Sequence, residues 1–123
     1  MINWKKLHKG FSKEWYNGKT YQQIWQETGF TYQDAWGWIA VGFRPSEYHW
    51  VKQWKENNLI PWEVKSWIDS GLTKSDYKFA TYLRNKGCQP SLYLNIEQLR
   101  KEFESWKEGE KLTQIIYQQQ SNN

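Results

Sequence analysis

The sequence predicts an all-α fold, an array of about seven short helices stacked as helix-turn-helix pairs. Three observations lead to it. The first is a recurring stop signal, in which an aromatic residue is followed four positions later by Gly or Asn and then by an apolar residue. Trp25, Gly29 and Phe30 form one instance. Trp38 with Gly42 and Phe43, Trp54 with Asn58 and Leu59, and Trp67 with Gly71 and Leu72 repeat it, and Leu83, Gly87 and Cys88 make a weaker fifth. Read as Schellman caps, these place Gly or Asn in the left-handed conformation and bring the ring onto the apolar residue that follows. The second is their spacing of 13, 16, 13 and 16 residues, which makes a two-helix unit of 29 residues. The third is that no run alternates with period two for long enough to be a strand.

Each element then follows from its start signal. Helices are expected near residues 12–17, 20–28, 31–41, 46–57, 61–70, 74–86 and 93–107, with a last one near 111–119. Thr20 with Gln23, Thr31 with Asp34 and Thr73 with Asp76 fit capping boxes, and Pro45 and Pro61 suit first-turn positions. The chain divides into a basic aromatic N-terminal arm or first helix (1–19), a Trp-rich helical repeat domain (20–110) and a helix end with a polar tail (111–123). The last six residues, Gln118 to Asn123, are expected to fray.

The 123 residues allow one domain, and although only 38% are hydrophobic, 19% are aromatic, so a few large rings must supply the core. Superimposing residues 29–57 on 58–86 selects those rings. Trp38 and Trp67, Ile39 and Ile68, Tyr48 and Tyr77, Trp50 and Phe79, Val51 and Ala80, and Trp54 and Leu83 are apolar in both copies and are assigned to the core. Trp36 falls opposite Lys65, Trp62 opposite Gln33 and Tyr82 opposite Gln53, so the repeat needs no apolar group there. These three rings are candidates for exposure and, with Tyr32, for recognition of a protein partner.

The net charge of +4 lies entirely before residue 20, where Lys5, Lys6, Lys9, Lys13 and Lys19 face Glu14 alone. With Trp4 among them, Lys5, Lys6, Lys9 and Lys13 form a candidate nucleic-acid-binding arm. Residues 20–40 resemble a DNA-binding helix-turn-helix, with Gly29 at the turn and Ala35 and Trp38 at packing positions. Against that reading, Trp25 is bulky where the helices would cross, and residues 31–40 hold no Lys or Arg, leaving Tyr32, Gln33 and Trp36 to read bases.

Material for catalysis is sparse. His8 and His49 lack a second His or Cys at zinc-ligand spacing, Cys88 fits a cap position, and Asp34, Glu47, Glu63 and Asp76 fit helix starts. The expectation is a non-enzymatic binding or adaptor protein with no cofactor and no metal, recognising a protein through Trp36, Trp62, Tyr82 and Tyr32. The alternative is a nucleic-acid-binding protein using the basic arm. One Cys, no signal-peptide core and no long apolar run argue for a cytoplasmic or other intracellular location away from membranes.

Overall fold

The computed structural model describes residues 3–121, which fold mostly into helices beside one small two-stranded sheet. Met1, Ile2, Asn122 and Asn123, the last two in the tail expected to fray, lie outside the described residues.

The chain begins with two 3-10 turns, Trp4–Lys6 and Lys9–Ser12. Asn3 Oδ1 accepts from the Lys5 amide at 3.0 Å, and His8 Nδ1 accepts from the Gly10 amide at 2.9 Å. Next comes an antiparallel hairpin of β1 (Glu14–Tyr16) and β2 (Lys19–Thr20), where the sequence reading placed a helix over 12–17. The reason is Asn17-Gly18, whose φ angles of 56° and 80° make the two-residue turn suited to twisted strands. Glu14 Oε1 fastens the turn by accepting from the Gly18 amide at 3.0 Å.

Five helices of seven to nine residues follow: α1 (Tyr21–Glu27), α2 (Tyr32–Ala40), α3 (Tyr48–Glu56), α4 (Pro61–Asp69) and α5 (Tyr77–Asn85). The expected capping boxes close at the first two starts and not at α5. Thr20 with Gln23 and Thr31 with Asp34 form reciprocal capping boxes. Glu47 reaches back to the Arg44 amide at 2.8 Å and Asp76 to the Thr73 amide at 2.7 Å, but the Thr73 hydroxyl donates to Asp76 instead of accepting from its amide, so the box expected there is incomplete and α5 starts only at Tyr77.

Their ends share one geometry. Gly29, Gly42, Asn58, Gly71 and Gly87 all have positive φ, between 62° and 120°. Across each, the amide of the following residue bonds back five positions: Phe30 to Trp25, Phe43 to Trp38, Leu59 to Trp54, Leu72 to Trp67 and Cys88 to Leu83, all at 3.0 to 3.1 Å. The Gly or Asn amide itself bonds back three positions in every case, which completes the Schellman pattern. Orphan carbonyls are thereby satisfied while the C3 ring meets the next apolar side chain, as in the Trp25–Phe30 and Trp38–Phe43 ring pairs.

A single helix, α6 (Ile96–Ser121), replaces the two expected near 93–107 and 111–119, and with the hairpin in place of the helix at 12–17 the described residues hold six α-helices rather than about seven. Gly109, between the two expected ranges, does not end the helix, because no apolar capping partner follows it and Glu110 and Lys111 continue a helical pattern. Lys101–Glu97, Lys107–Glu104 and Lys111–Glu108 pairs along the helix help offset the weak propensity of one glycine. Residues 118–121, expected to fray, continue this helix.

The core is one cluster running from Trp4 through the joints to Phe103, with Trp25, Trp54 and Trp67 fully buried. A buried indole N–H needs an acceptor. Trp25 Nε1 donates to the Pro45 carbonyl at 2.9 Å and Trp54 Nε1 to the Lys74 carbonyl at 2.7 Å, donor and acceptor being 20 residues apart in both. Of the paired core positions, Trp38, Trp67, Val51, Ala80, Trp54, Leu83 and Phe79 are buried, while Ile39, Ile68, Tyr48, Tyr77 and Trp50 pack at its margin.

The joints differ in what an added methyl would meet. At Gly42 a Cβ meets nothing within 4 Å, so only the left-handed backbone resists it, whereas at Gly71 it would lie 3.0 Å from Ile96 Cγ1. Gly42→Ala should therefore cost about 1 kcal/mol in chemical denaturation and Gly71→Ala more, on the order of 2 kcal/mol. Equal costs would show that the Gly71 joint does not support the start of α6.

Candidate functional site

Helices α2 and α4 cross closely at Gly37, where a Cβ would lie 3.1 Å from Pro61 Cγ. Beside this crossing stand Trp36 on α2, 54% exposed, and Ile60 and Trp62 at the start of α4, 55% and 57% exposed. Trp36 and Trp62 are thus accessible as the comparison of copies predicts, and neither ring is needed by the core.

Tyr82 departs from the expectation. It is only 8% exposed, because α6 lays Phe103 and Trp106 over it, with ring centroids 5.2 and 5.1 Å away. Gln53, its counterpart, lies on a helix that α6 does not cover in this way, so the internal comparison misjudged a site whose cover comes from outside the two copies. Tyr32 is half-buried and packs edge-on to Trp4 at 6.2 Å. It belongs to the margin of the core and does not stand with Trp36 and Trp62 as a free ring.

In the N-terminal segment Lys5, Lys6, Lys9 and Lys13 are all exposed, but Trp4 is 4% exposed and packs on Phe11 at 5.1 Å. Trp4 is therefore a core ring, unavailable for stacking on a base. The accessible rings near the lysines are Trp15 and Tyr16 on β1, 5.5 Å apart. In the helix-turn-helix-like segment, Ala35 and Trp38 are buried at the packing positions, and exposed Gln33 and Trp36 project from a helix without a basic residue.

The sequence reading did not single out a groove between α5 and α6. Its volume is about 430 Å³, and Tyr82, Phe103 and Trp106 line it together with Lys78, Lys86 and Lys107. Lys86 Nζ donates to the Tyr82 hydroxyl at 3.2 Å, which raises the Lys86 pKa above the ordinary lysine value. Lys107 lies 4.7 Å over the Phe103 ring and pairs with Glu104 at 3.1 Å. The signal was present in Leu99, Phe103 and Trp106, whose spacing of four and three marks one helical face.

Two cations hold neighbouring helices in register. Arg100 makes a two-pronged bond to Asp76, at 3.0 and 2.9 Å, and sits 4.6 Å over Phe79, tying α6 to the start of α5. Lys74 spans from Glu47 at 3.1 Å to the Gly42 carbonyl at 2.8 Å. Burial alone would raise the Asp76 pKa, but the Arg100 and Thr73 hydrogen bonds outweigh it and hold the carboxyl below its ordinary value of 3.8.

For reactive chemistry the described residues offer little in one place. His49 is exposed beside Trp50, Cys88 is half-buried at its cap, and no group of three or more His, Cys, Asp or Glu residues among them could hold a metal ion. No described helix is long and apolar enough to cross a membrane.

The sign of the Asp76 shift sets a pH dependence. Because its folded pKa is depressed, the stabilisation is complete above the ordinary value near 3.8 and is lost as pH falls through the lower folded value. Arg100→Gln should remove it, lowering stability by about 1 kcal/mol at pH 7, a figure discounted for the partly exposed guanidinium, and flattening the acid limb of the stability curve. An unchanged acid limb in urea titrations from pH 7 to 2 would show that this pair does not anchor α6.

Compared with known protein families, curated proteins and solved structures, the chain matches none.

Proposed function

We propose that this protein is a non-enzymatic binding module, an array of helix pairs with a 29-residue period that recognises a protein partner through Trp36, Ile60 and Trp62. The observation that carries the reading is the exposure of three large apolar side chains beside one helix crossing, on helices whose other faces already fill the core. Large amphipathic rings bury much area while ordering few bonds, which is why they dominate interface hot spots. The period is supported by the five joints and by the indole bonds from Trp25 and Trp54, which recur at that interval. Such an array would act intracellularly as an adaptor.

A second reading, nucleic-acid binding, draws on the four exposed lysines beside Trp15 and Tyr16. With Trp4 buried, stacking would fall to these hairpin rings, and the affinity would be mainly electrostatic.

One experiment separates the readings. Wild type and the Trp36→Lys, Trp62→Gln double variant are used as bait in native lysate, with and without nuclease. The variant should keep its stability within about 0.5 kcal/mol, as surface changes do, yet lose a polypeptide that wild type retains after nuclease treatment. Marked unfolding, or retention unaffected by the double variant, would overturn the protein-binding surface. Capture that disappears with nuclease, falls steeply with salt and fails when Lys5, Lys6, Lys9 and Lys13 are changed to Gln would instead favour the nucleic-acid reading.

A further inference from the structure

The groove between α5 and α6 is a separate site, and the geometry points to a small planar aromatic anion as its ligand: a flat ring laid on the free surface of Trp106 over the buried Tyr82 and Phe103, its negative group met by Lys78 and Lys86. Its volume of about 430 Å³ lies within the range of small-ligand sites, roughly 300–1,000 Å³. The floor is aromatic. Tyr82 and Phe103 are buried and fixed, whereas Trp106, 48% exposed and 5.1 Å from Tyr82, still has surface to lose to a ligand.

The rim is cationic, with Glu102 acting on Lys86 from outside the groove lining. No carboxylate lines the groove among the described residues. Lys107 is paired with Glu104, whereas among the described residues neither Lys78 nor Lys86 forms a salt bridge, and Lys86 lies 5.1 Å over the Tyr82 ring and donates to its hydroxyl. A neutral ring would leave the Lys78 ammonium group in water, and an anion without a ring would leave Trp106 there. A ligand carrying both groups gains ring contact and charge-assisted hydrogen bonds together. The negative group could be a carboxylate or a phosphate, and different probes distinguish these two sources.

The test is a chemical-shift titration of the full chain with indole-3-acetate, with indole-3-ethanol, which keeps the ring and lacks the charge, and with indoxyl phosphate, which keeps the ring and carries a phosphate. Indole-3-acetate or indoxyl phosphate should shift the Trp106 indole N–H and the amides around Tyr82 and Lys86, the tighter of these two ring-matched anions identifying the anionic group. Indole-3-ethanol should bind about tenfold more weakly or worse, and added salt should weaken the anions alone. Lys78→Gln with Lys86→Gln should lower anion affinity by about tenfold or more. These lysines are exposed, so the fold should survive, and a melting curve on the same sample checks it. The Trp36→Lys, Trp62→Gln variant should bind the probes as wild type does, so this site and the protein-binding reading fail independently. Three results would overturn the proposal: no shift at Trp106 with either anion, equal binding of indole-3-ethanol, or unchanged anion affinity in the folded lysine variant.

Discussion

The structure depends on the joint at which one short helix ends and its terminal ring is clamped against the next segment. A helix of nine residues is too short to be stable by itself, so it must gain its stability from what it buries. Here the last turn places a large side chain at C3, a left-handed residue reverses the chain, and the next apolar residue closes on that side chain. Backbone satisfaction and hydrophobic contact are made by the same few residues. Trp25, Trp38, Trp54 and Trp67 therefore act both as helix stops and as the centre of the core.

This arrangement also determines which rings are left over. Each short helix turns one side to the joints and leaves the other to solvent or to a neighbour. Helix α6 covers α5, which buries Tyr82 and forms the lysine-rimmed groove, while no described element covers Trp36 and Trp62 in that manner. The Asp76–Arg100 pair and the Ile96 contact beside Gly71 locate α6 at its first turns, and residues 108–121 extend beyond those anchors with every described side chain exposed. The two candidate surfaces thus belong to different parts of the packing, one at the α2–α4 crossing and one under α6.

Local chemistry was legible in the sequence where it needs only neighbours in the chain. Thr31 and Asp34 announce a helix start, and Trp38, Gly42 and Phe43 announce its stop, because all the bonding partners lie within six residues. The hairpin at 14–20 was missed because its strands are two and three residues long, too short for a periodic signal, although Asn17-Gly18 names the turn. The break expected between residues 107 and 111 does not occur, because Gly109 has no apolar follower and is only a weak residue inside a helix. Exposure was legible for Trp36 and Trp62, whose counterparts Lys65 and Gln33 sit in a comparable setting. It was not legible for Trp4 and Tyr82, since their covers, Phe11 and Tyr32 for one and Phe103 and Trp106 for the other, are brought in by tertiary packing.

Native-state hydrogen exchange tests the joints most directly. The amides of Phe30, Phe43, Leu59 and Leu72 bond back to the C3 carbonyls across the left-handed residue, a place where an ordinary helix end frays. If the joints hold the fold together, these four amides should exchange only through global unfolding, with opening free energies equal to the stability measured by denaturant. Rapid exchange at these amides, with protection confined to the middles of the helices, would contradict the account, because the helices would then be packed by their faces alone and the joints would be loose connections.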